Sequence, residues 1–563
     1  MIISAETLTG GTSLSAHLAV VGAGPAGMVI ALEAAKDDLE VLLIESGDGK
    51  FNADAQRLSD AAAWDPRIHA PMSKSVRRQL GGTSTIWGGR CIPYDPVDFD
   101  RRPYLSDTPW AVGYDELSPY FQRACDWLRC GRAVFDVSRM AHLPSSIVPG
   151  LADGDASTAT VERWSLSTDF AREYAESLRQ SARVRIVTGL TCTEVISLPD
   201  GTRVGHLACR ALNGKHISIQ ARCYVLACGG LETTRLLLAS RGAHGRPPGD
   251  HSGHLGSWYM GHVDGVIANV RFCTSPRATI FGFERDIDGT YVRRRFSIKR
   301  KVQLQNDLPN ATALLANPHL ADHRHGNGVL SGAYLALRSP IGRLITPPEQ
   351  RFSATRDGAL TNGAGQQVRP HLMNVAKDFP AVARYAVGLG TRRFLTRGRK
   401  TPGFFTAYSR DNLYPLHYRG EQSPNKASRV SLADDRDLMG MPRLNIELRF
   451  SQQDVEGILR CHQVWDDYLW ENQCGRLEYL SEDCGSLVWR QASGGTHQLG
   501  TTRMAKRPED GVVDENLAVH GMSNLFVASS SVFLTSSQAN PTFMIVVFAL
   551  RLADWLKSRI SAL

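Results

Sequence analysis

Four consecutive apolar residues, Leu18 to Val21, lead into a glycine-spaced turn and an alanine-rich stretch of helical pattern. A second apolar run, Val41 to Ile44, then stops at Glu45. Short apolar runs bounded by turn residues predict buried strands, so residues 17 to 46 predict strand, tight turn, helix, strand. The segment YVLACGGLETTRLLLASR, residues 224 to 241, repeats the order: an apolar strand, a glycine pair, then a helix carrying Leu236, Leu237 and Leu238. Near the C-terminus, TFMIVVFALRLADWL follows Asn540 and Pro541 and predicts a helix with Pro541 as its first residue and Asn540 as its N-cap. Stretches such as VIANVRFC and RLNIELRF alternate apart from the helices and predict an antiparallel sheet.

These elements predict a doubly wound α/β nucleotide-binding domain with a second, α+β domain built on an antiparallel sheet. The first is expected from residues 1–100, 185–262 and 490–563, the second from 101–184 and 263–489. The active site is expected in the crevice between them. A chain of 563 residues is long for one domain, which agrees with this division.

Composition changes the picture little. The chain is 42% hydrophobic and 21% charged, an ordinary globular balance. A formal charge of +8 is small for this length, and no basic stripe interleaved with aromatics suggests nucleic acid. The eleven cysteines include no CxxC pair, and their odd number argues against a complete disulfide framework. The N-terminus has no basic n-region, and no apolar run approaches the roughly 18 residues a spanning helix needs. A soluble, cytoplasmic protein is the expectation. No Cys or carboxylate cluster completes a metal set around His251 and His254, so no metal is expected.

The turn between the first strand and helix reads Gly22-x-Gly24-Pro25-Ala26-Gly27. Gly22 makes the turn, Gly24 lets backbone approach a pyrophosphate, and Gly27 lets helix and strand pack closely. The phosphates then sit where unpaired helix N–H groups and the dipole favour anions. Glu45, with Ser46 beside it, ends the second strand in place to hold ribose hydroxyls. This predicts an ADP-containing cofactor without choosing between NAD and FAD.

Three further blocks choose. RRQLGGTSTIWGGR (77–90), the unit at 224–241 and the C-terminal HQLGTTRM followed by GVVDENLAVHGMSNLFVASSSVFLTSSQANPTFMIVVFALRLADWL together resemble the glucose–methanol–choline (GMC) oxidoreductases, which use FAD. EQSPNKASRVSL, residues 421 to 432, resembles the family's entry into that last block. The resemblance covers residues 17–46, 77–120, 185–262 and 421–558; between 263 and 420 the family varies its substrate walls.

It implies FAD contacts at Gly22, Gly24, Pro25, Ala26, Gly27, Glu45 and Ser46. Further contacts are implied at Gly81, Gly82, Thr83, Ser84, Trp87 and Gly88 in the polar loop, and at Cys192, Ala227 and Gly229. Ser529 and Ser530 would lie beside the ribityl chain, and Asn540, Pro541 and Thr542 at the pyrimidine edge of the ring. Some members attach FAD through a histidine in the loop matching GGTSTIWGG; Ile86 stands there, so a non-covalent flavin is expected.

The same resemblance gives His497 the position of the active-site histidine and Asn540 that of its partner. An imidazole suits removal of a hydroxyl proton because its ordinary pKa lies near neutrality. A neighbouring amide can polarise the substrate oxygen without titrating. The implied activity is oxidation of a CH–OH group, with O2 or another electron acceptor completing the cycle. The pattern at 77–130 leans toward a sugar or glycosylated small molecule. Two other readings stand beside it: a lyase that keeps flavin as structure, and a non-catalytic nucleotide-binding protein. His262, in WYMGHVDG, resembles a family position at the end of the nucleotide domain, with a structural role as its alternative. The basic run Arg392, Arg393, Arg397, Arg399 and Lys400 reads as a solvated face, with attachment to a membrane or an acidic partner as the minority reading.

Overall fold

A computed structural model describes residues 1–165, 169–242, 245–340, 367–394, 409 and 411–560. Its largest sheet has eight strands. Their order is Ile2–Ser4, Val184–Thr188, Val41–Ile44, Ser13–Val21, His216–Leu226, Val204–Ala211 and Leu190–Ser197, with Leu525–Val527 also pairing His216–Leu226. Ser13–Val21 lies parallel to both neighbours, Val41–Ile44 and His216–Leu226. Parallel strands are covered on both faces, which is why Leu18 to Val21 and Val41 to Ile44 read as unbroken apolar runs and are buried throughout.

Helix Pro25–Ala35 leaves the first of these strands and packs against the C-terminal helix Thr542–Ile560. Nine of its residues are buried, from Ala26 to Ala34, Glu33 among them, so it is covered nearly all round and not a one-faced surface helix.

A second, six-stranded sheet runs Gly475–Tyr479, His262–Phe272, Leu413–Glu421, Ala311–Leu315, Phe296–Ile298 and Ala156–Ser157. All its pairings are antiparallel. Helix Gln452–Glu471, started by a capping box between Ser451 and Asp454, covers one face. The period-two rule sorts the strand Leu413–Glu421 accordingly. Tyr414, Leu416 and Tyr418 are buried under that helix, while His417 and Arg419 are half-buried on the opposite face.

A four-stranded sheet, Phe283–Arg285, Tyr291–Arg294, Val161–Trp164 and Arg90–Cys91, stands beside it. Arg90–Cys91, expected among the nucleotide-binding segments, therefore pairs with Val161–Trp164 instead. Pro442–Glu447, expected in an antiparallel sheet of the second domain, pairs instead with Arg429–Arg436 in a separate ribbon and bridges Ala63 through Asn445. Val430, Leu444 and Ile446 of that ribbon share a core with Leu231 of helix Gly230–Ala239. The apolar alternation specified a strand but not its partner.

Among the described residues no helix is long and apolar enough to cross a membrane. Of the basic run, Arg397, Arg399 and Lys400 lie outside the described residues, as do the side chains of Arg392 and Arg393.

Candidate active site

A groove of about 220 Å³, partly open to solvent, runs along the C-terminal ends of the parallel strands. Gly22, Gly24, Pro25, Ala26, Glu45 and Ser46 line it, with Gly82, Thr83, Ser84 and Trp87 of the polar loop. Cys192, Ala227, Gly229, Ser529, Ser530, Pro541, Thr542 and His497 complete the expected residues along its wall. Gly27, Gly81, Gly88 and Asn540 do not line it.

The glycines of the first turn divide into two kinds. Gly22 has φ +102, and a Cβ on it would meet the Ala227 carbonyl oxygen at 2.5 Å. A Cβ on Gly27 would lie 1.9 Å from the Gly22 carbonyl oxygen, so this glycine holds helix against strand and stays behind the wall. Gly24 is different: the nearest atom to its Cβ position is 3.9 Å away, and it caps the helix with no side-chain hydrogen bond. The helix N–H groups there face an open cradle that a phosphate can fill.

Glu45 is pinned at the next strand's end. Its Oε2 accepts from the Ala23 N–H at 2.9 Å and its Oε1 from the Gly47 N–H at 2.8 Å. Each oxygen keeps a second acceptor site. Burial pushes its pKa up against those hydrogen bonds, which pull it down.

Several lining residues were not anticipated from sequence. Arg78 forms an ion pair with Glu232 and donates to Ser46 Oγ at 2.8 Å and Ser59 Oγ at 2.6 Å, bracing the adenosine end. Gln498, next to His497, accepts from the Leu231 N–H at 3.1 Å, and its backbone carbonyl accepts from Ser530 Oγ at 2.6 Å. The loop carrying His497 is thereby tied to helix Gly230–Ala239 and to the serine turn. It is not a free surface turn.

The His497 ring packs edge-on against the His262 ring, with centroids 4.8 Å apart. His262 is buried, its Nδ1 donates to the Ser537 carbonyl at 3.1 Å, and its Nε2 has no hydrogen-bond partner. Burial first, then the positive charges of Arg419 and Arg90, hold His497 well below the ordinary imidazole value. His497 is neutral at pH 7 and able to accept a proton.

Asn540 departs from expectation in one respect. The helix begins at Thr542, and the Pro541 carbonyl accepts its first bond, from the Ile545 N–H at 2.9 Å. Pro541 is thus the cap and Asn540 the residue before it. The Asn540 side-chain oxygen accepts from Arg419, whose other amino group donates to Asp264 Oδ2 at 3.0 Å. A charged donor held by a carboxylate outcompetes helix N–H groups for that oxygen. It also fixes the amide, so that the Asn540 –NH2 is left as the donor group of the side chain.

His251 and His254 contact the backbone carbonyls of His520 and Glu509 at 3.0 and 2.9 Å. Among the described residues no group of three or more His, Cys, Asp or Glu side chains is assembled for a metal.

Residues 424–549 match the family model described as GMC oxidoreductase, and residues 20–53 match that of an NAD(P)-binding Rossmann-like domain. The chain is 22% identical to 2-methyl-1,2-propanediol dehydrogenase of Mycolicibacterium austroafricanum, over 96% of this chain and 95% of the relative. It is 25% identical to paromamine 6'-oxidase of Streptomyces fradiae, over 48% of this chain and 60% of the relative. Among solved structures, the formate oxidase of Aspergillus oryzae shares the fold, with a TM-score of 0.52 and 15% identity over 98% of this chain and 99% of that one.

Proposed function

Because this chain belongs to the GMC oxidoreductases, an FAD-dependent family acting on CH–OH donors, we propose that it oxidises a small alcohol or sugar at the end of the groove where His497 lies. The observation that carries this reading is the shared groove. The open phosphate cradle at Gly24 and the neutral imidazole of His497 face one continuous space, which Pro541 and Thr542 also line.

The residues present fit FAD. Gly22, Gly24 and the N-terminus of helix Pro25–Ala35 would hold the pyrophosphate, and Glu45 the adenosine ribose. Ser529 and Ser530 would lie along the ribityl chain, and the start of helix Thr542–Ile560 at the ring. That helix end carries about half a positive charge and favours an anionic ring edge. When bound, FAD supplies the hydride acceptor. His497 receives the substrate's hydroxyl proton on its ring, since burial keeps it deprotonated and the surrounding guanidiniums oppose any earlier protonation. The Asn540 amide, held by Arg419, donates to the substrate oxygen as its negative charge grows.

His262 supports the imidazole from the side. Its own pKa is depressed by burial and by His497, so the pair presents two neutral rings and one accessible base. The relatives named above are a 2-methyl-1,2-propanediol dehydrogenase and a paromamine 6'-oxidase, which favours a hydroxylated small molecule here.

Anaerobic mixing of the purified yellow protein with sugars, glycosides and diols tests the reading. Bleaching of the flavin by at least one class is expected. Turnover of a cyanohydrin without bleaching would establish the lyase instead, and an inert yellow protein would leave only nucleotide binding.

A further inference from the structure

Arginines from two different sheets gather near His497, Arg419 and Arg90 close enough for their charge to act on its ring. Arg90, only 8% exposed, forms an ion pair with the fully buried Glu162. Arg293 faces Glu162 across the antiparallel pairing and spends a donor on the Leu315 carbonyl instead of on a carboxylate of its own. Arg419 joins Asp264 to Asn540, and Arg295 pairs with Asp95 at 3.3 Å. Four guanidiniums therefore meet three carboxylates. His262, His417 and His497, which sit among them, are all held neutral chiefly by burial.

Beside them Arg102 is bidentate with Glu421, and Asp98, whose pKa burial and Glu421 push up to about 8, accepts from the Asp95 N–H, the Asn310 amide and Ser537 Oγ. Arg293 is left without a carboxylate of its own. Several donors are also unspent: Arg90 Nη2, Arg419 Nε and Arg295 Nη1 are buried without hydrogen-bond partners. An uncompensated buried charge is costly, and orphaned buried donors are rare in folded proteins. Both features are resolved by one small anion placed among these arginines.

Resting on the oxidoreductase reading, we propose that the substrate carries a carboxylate, held by Arg90, Arg293 and Arg419 beside His497 and Asn540. A hydroxy acid or sugar acid has this chemistry: the carboxylate is clamped by the guanidiniums while a neighbouring carbinol faces the imidazole. Planar guanidiniums suit a carboxylate because two parallel N–H groups meet its two oxygens. Arg419 then serves twice, fixing Asn540 through one amino group and attracting the substrate through the charge of the whole group.

The test uses the holoenzyme and three matched pairs: glycolate with ethylene glycol, lactate with propane-1,2-diol, and gluconate with sorbitol. Binding is followed by perturbation of the flavin spectrum or by calorimetry, so turnover is not required. At least one acid should bind roughly ten- to hundred-fold more tightly than its neutral partner, the span of a charge-assisted contact. Added salt should erode that preference, Arg293→Gln should abolish it, and Arg293→Lys should restore part of it. A retained flavin spectrum in each variant shows that the fold and cofactor site survive. The proposal is overturned if no acid outbinds its neutral partner, or if the preference persists in Arg293→Gln. Bleaching by neutral alcohols without any acid preference overturns this inference alone. Failure of every CH–OH compound to bleach the flavin overturns the oxidoreductase reading beneath it.

Discussion

The first turn offers a pair of substitutions that the structure separates cleanly. Gly24→Ala places a methyl group where the nearest protein atom is 3.9 Å away, at ordinary backbone angles. In the apoprotein the effects nearly cancel. An N-cap alanine loses about 0.5–1 kcal/mol relative to glycine, and the stiffer unfolded chain returns about 0.4–1 kcal/mol. With the cofactor bound, the same methyl group occupies the cradle and holds the phosphate off the helix N–H groups. Gly27→Ala reverses the pattern. Its Cβ would lie 1.9 Å from the Gly22 carbonyl oxygen, backbone against backbone, so helix and strand must separate. Overpacking of this kind costs about 1–3 kcal/mol, and no flexible side chain can yield here. The assay is thermal melting of the stripped apoproteins together with FAD titration by quenching of flavin fluorescence. Gly24→Ala should melt with the parent yet bind FAD at least ten-fold more weakly. Gly27→Ala should melt earlier even as apoprotein. An apo-stable Gly27→Ala, or a Gly24→Ala of parental affinity, would refute the division of the turn into a packing glycine and a cradle glycine.

Other expectations follow from the same geometry. Acid denaturation should release all the yellow colour into the supernatant, because Ile86 offers no nucleophile at the loop position where the family resemblance implies a linking histidine in some members; flavin left in the pellet would contradict this. Glu45→Arg removes two acceptors of backbone N–H groups and adds a cation beside the ribose position, so the protein should purify largely without FAD; a full complement would show that this carboxylate is dispensable. The rate of flavin reduction should be level down to about pH 6.5 and fall only below it, since the pKa of His497 is depressed and only the neutral ring accepts a proton. The same depression subtracts stability on the acid side: below the unfolded pKa near 6.5 the unfolded chain takes up a proton that the folded ring refuses. An acid limb centred at or above pH 7 would mean that the imidazole is not held neutral.

The nucleotide-binding half was largely legible in the sequence because its signals are local. Gly22, Gly24 and Gly27 each answer to a backbone angle or a contact within one strand–turn–helix unit, and Glu45 to the end of the next strand. His497 was found through its loop and through family likeness, and its neighbours in the groove come from equally recognisable segments. Arg419, Arg90 and the packing of His262 were not legible in the same way. They belong to strands of separate sheets, and nothing in the local pattern around any of them announces which side chains it will meet. Asn540 shows the limit most directly. An asparagine before a proline reads locally as a helix cap, yet its oxygen is taken by an arginine from a strand of the antiparallel sheet. The strand Pro442–Glu447 makes the same point for topology, since alternation told that it would pair but not with which partner.

The most direct measurement is stopped-flow reduction of the flavin under anaerobic conditions in His497→Ala, Asn540→Ala and the double variant, with FAD content determined in each. A positioned base contributes about 10²–10⁴-fold, so His497→Ala should bind FAD normally and reduce it slower by that factor. Asn540→Ala should cost less, because an amide orients and polarises without taking the proton. The two losses should not add, since both residues serve one substrate oxygen. Reduction at the parental rate in His497→Ala, with flavin content unchanged, would contradict the assignment of proton transfer to this imidazole.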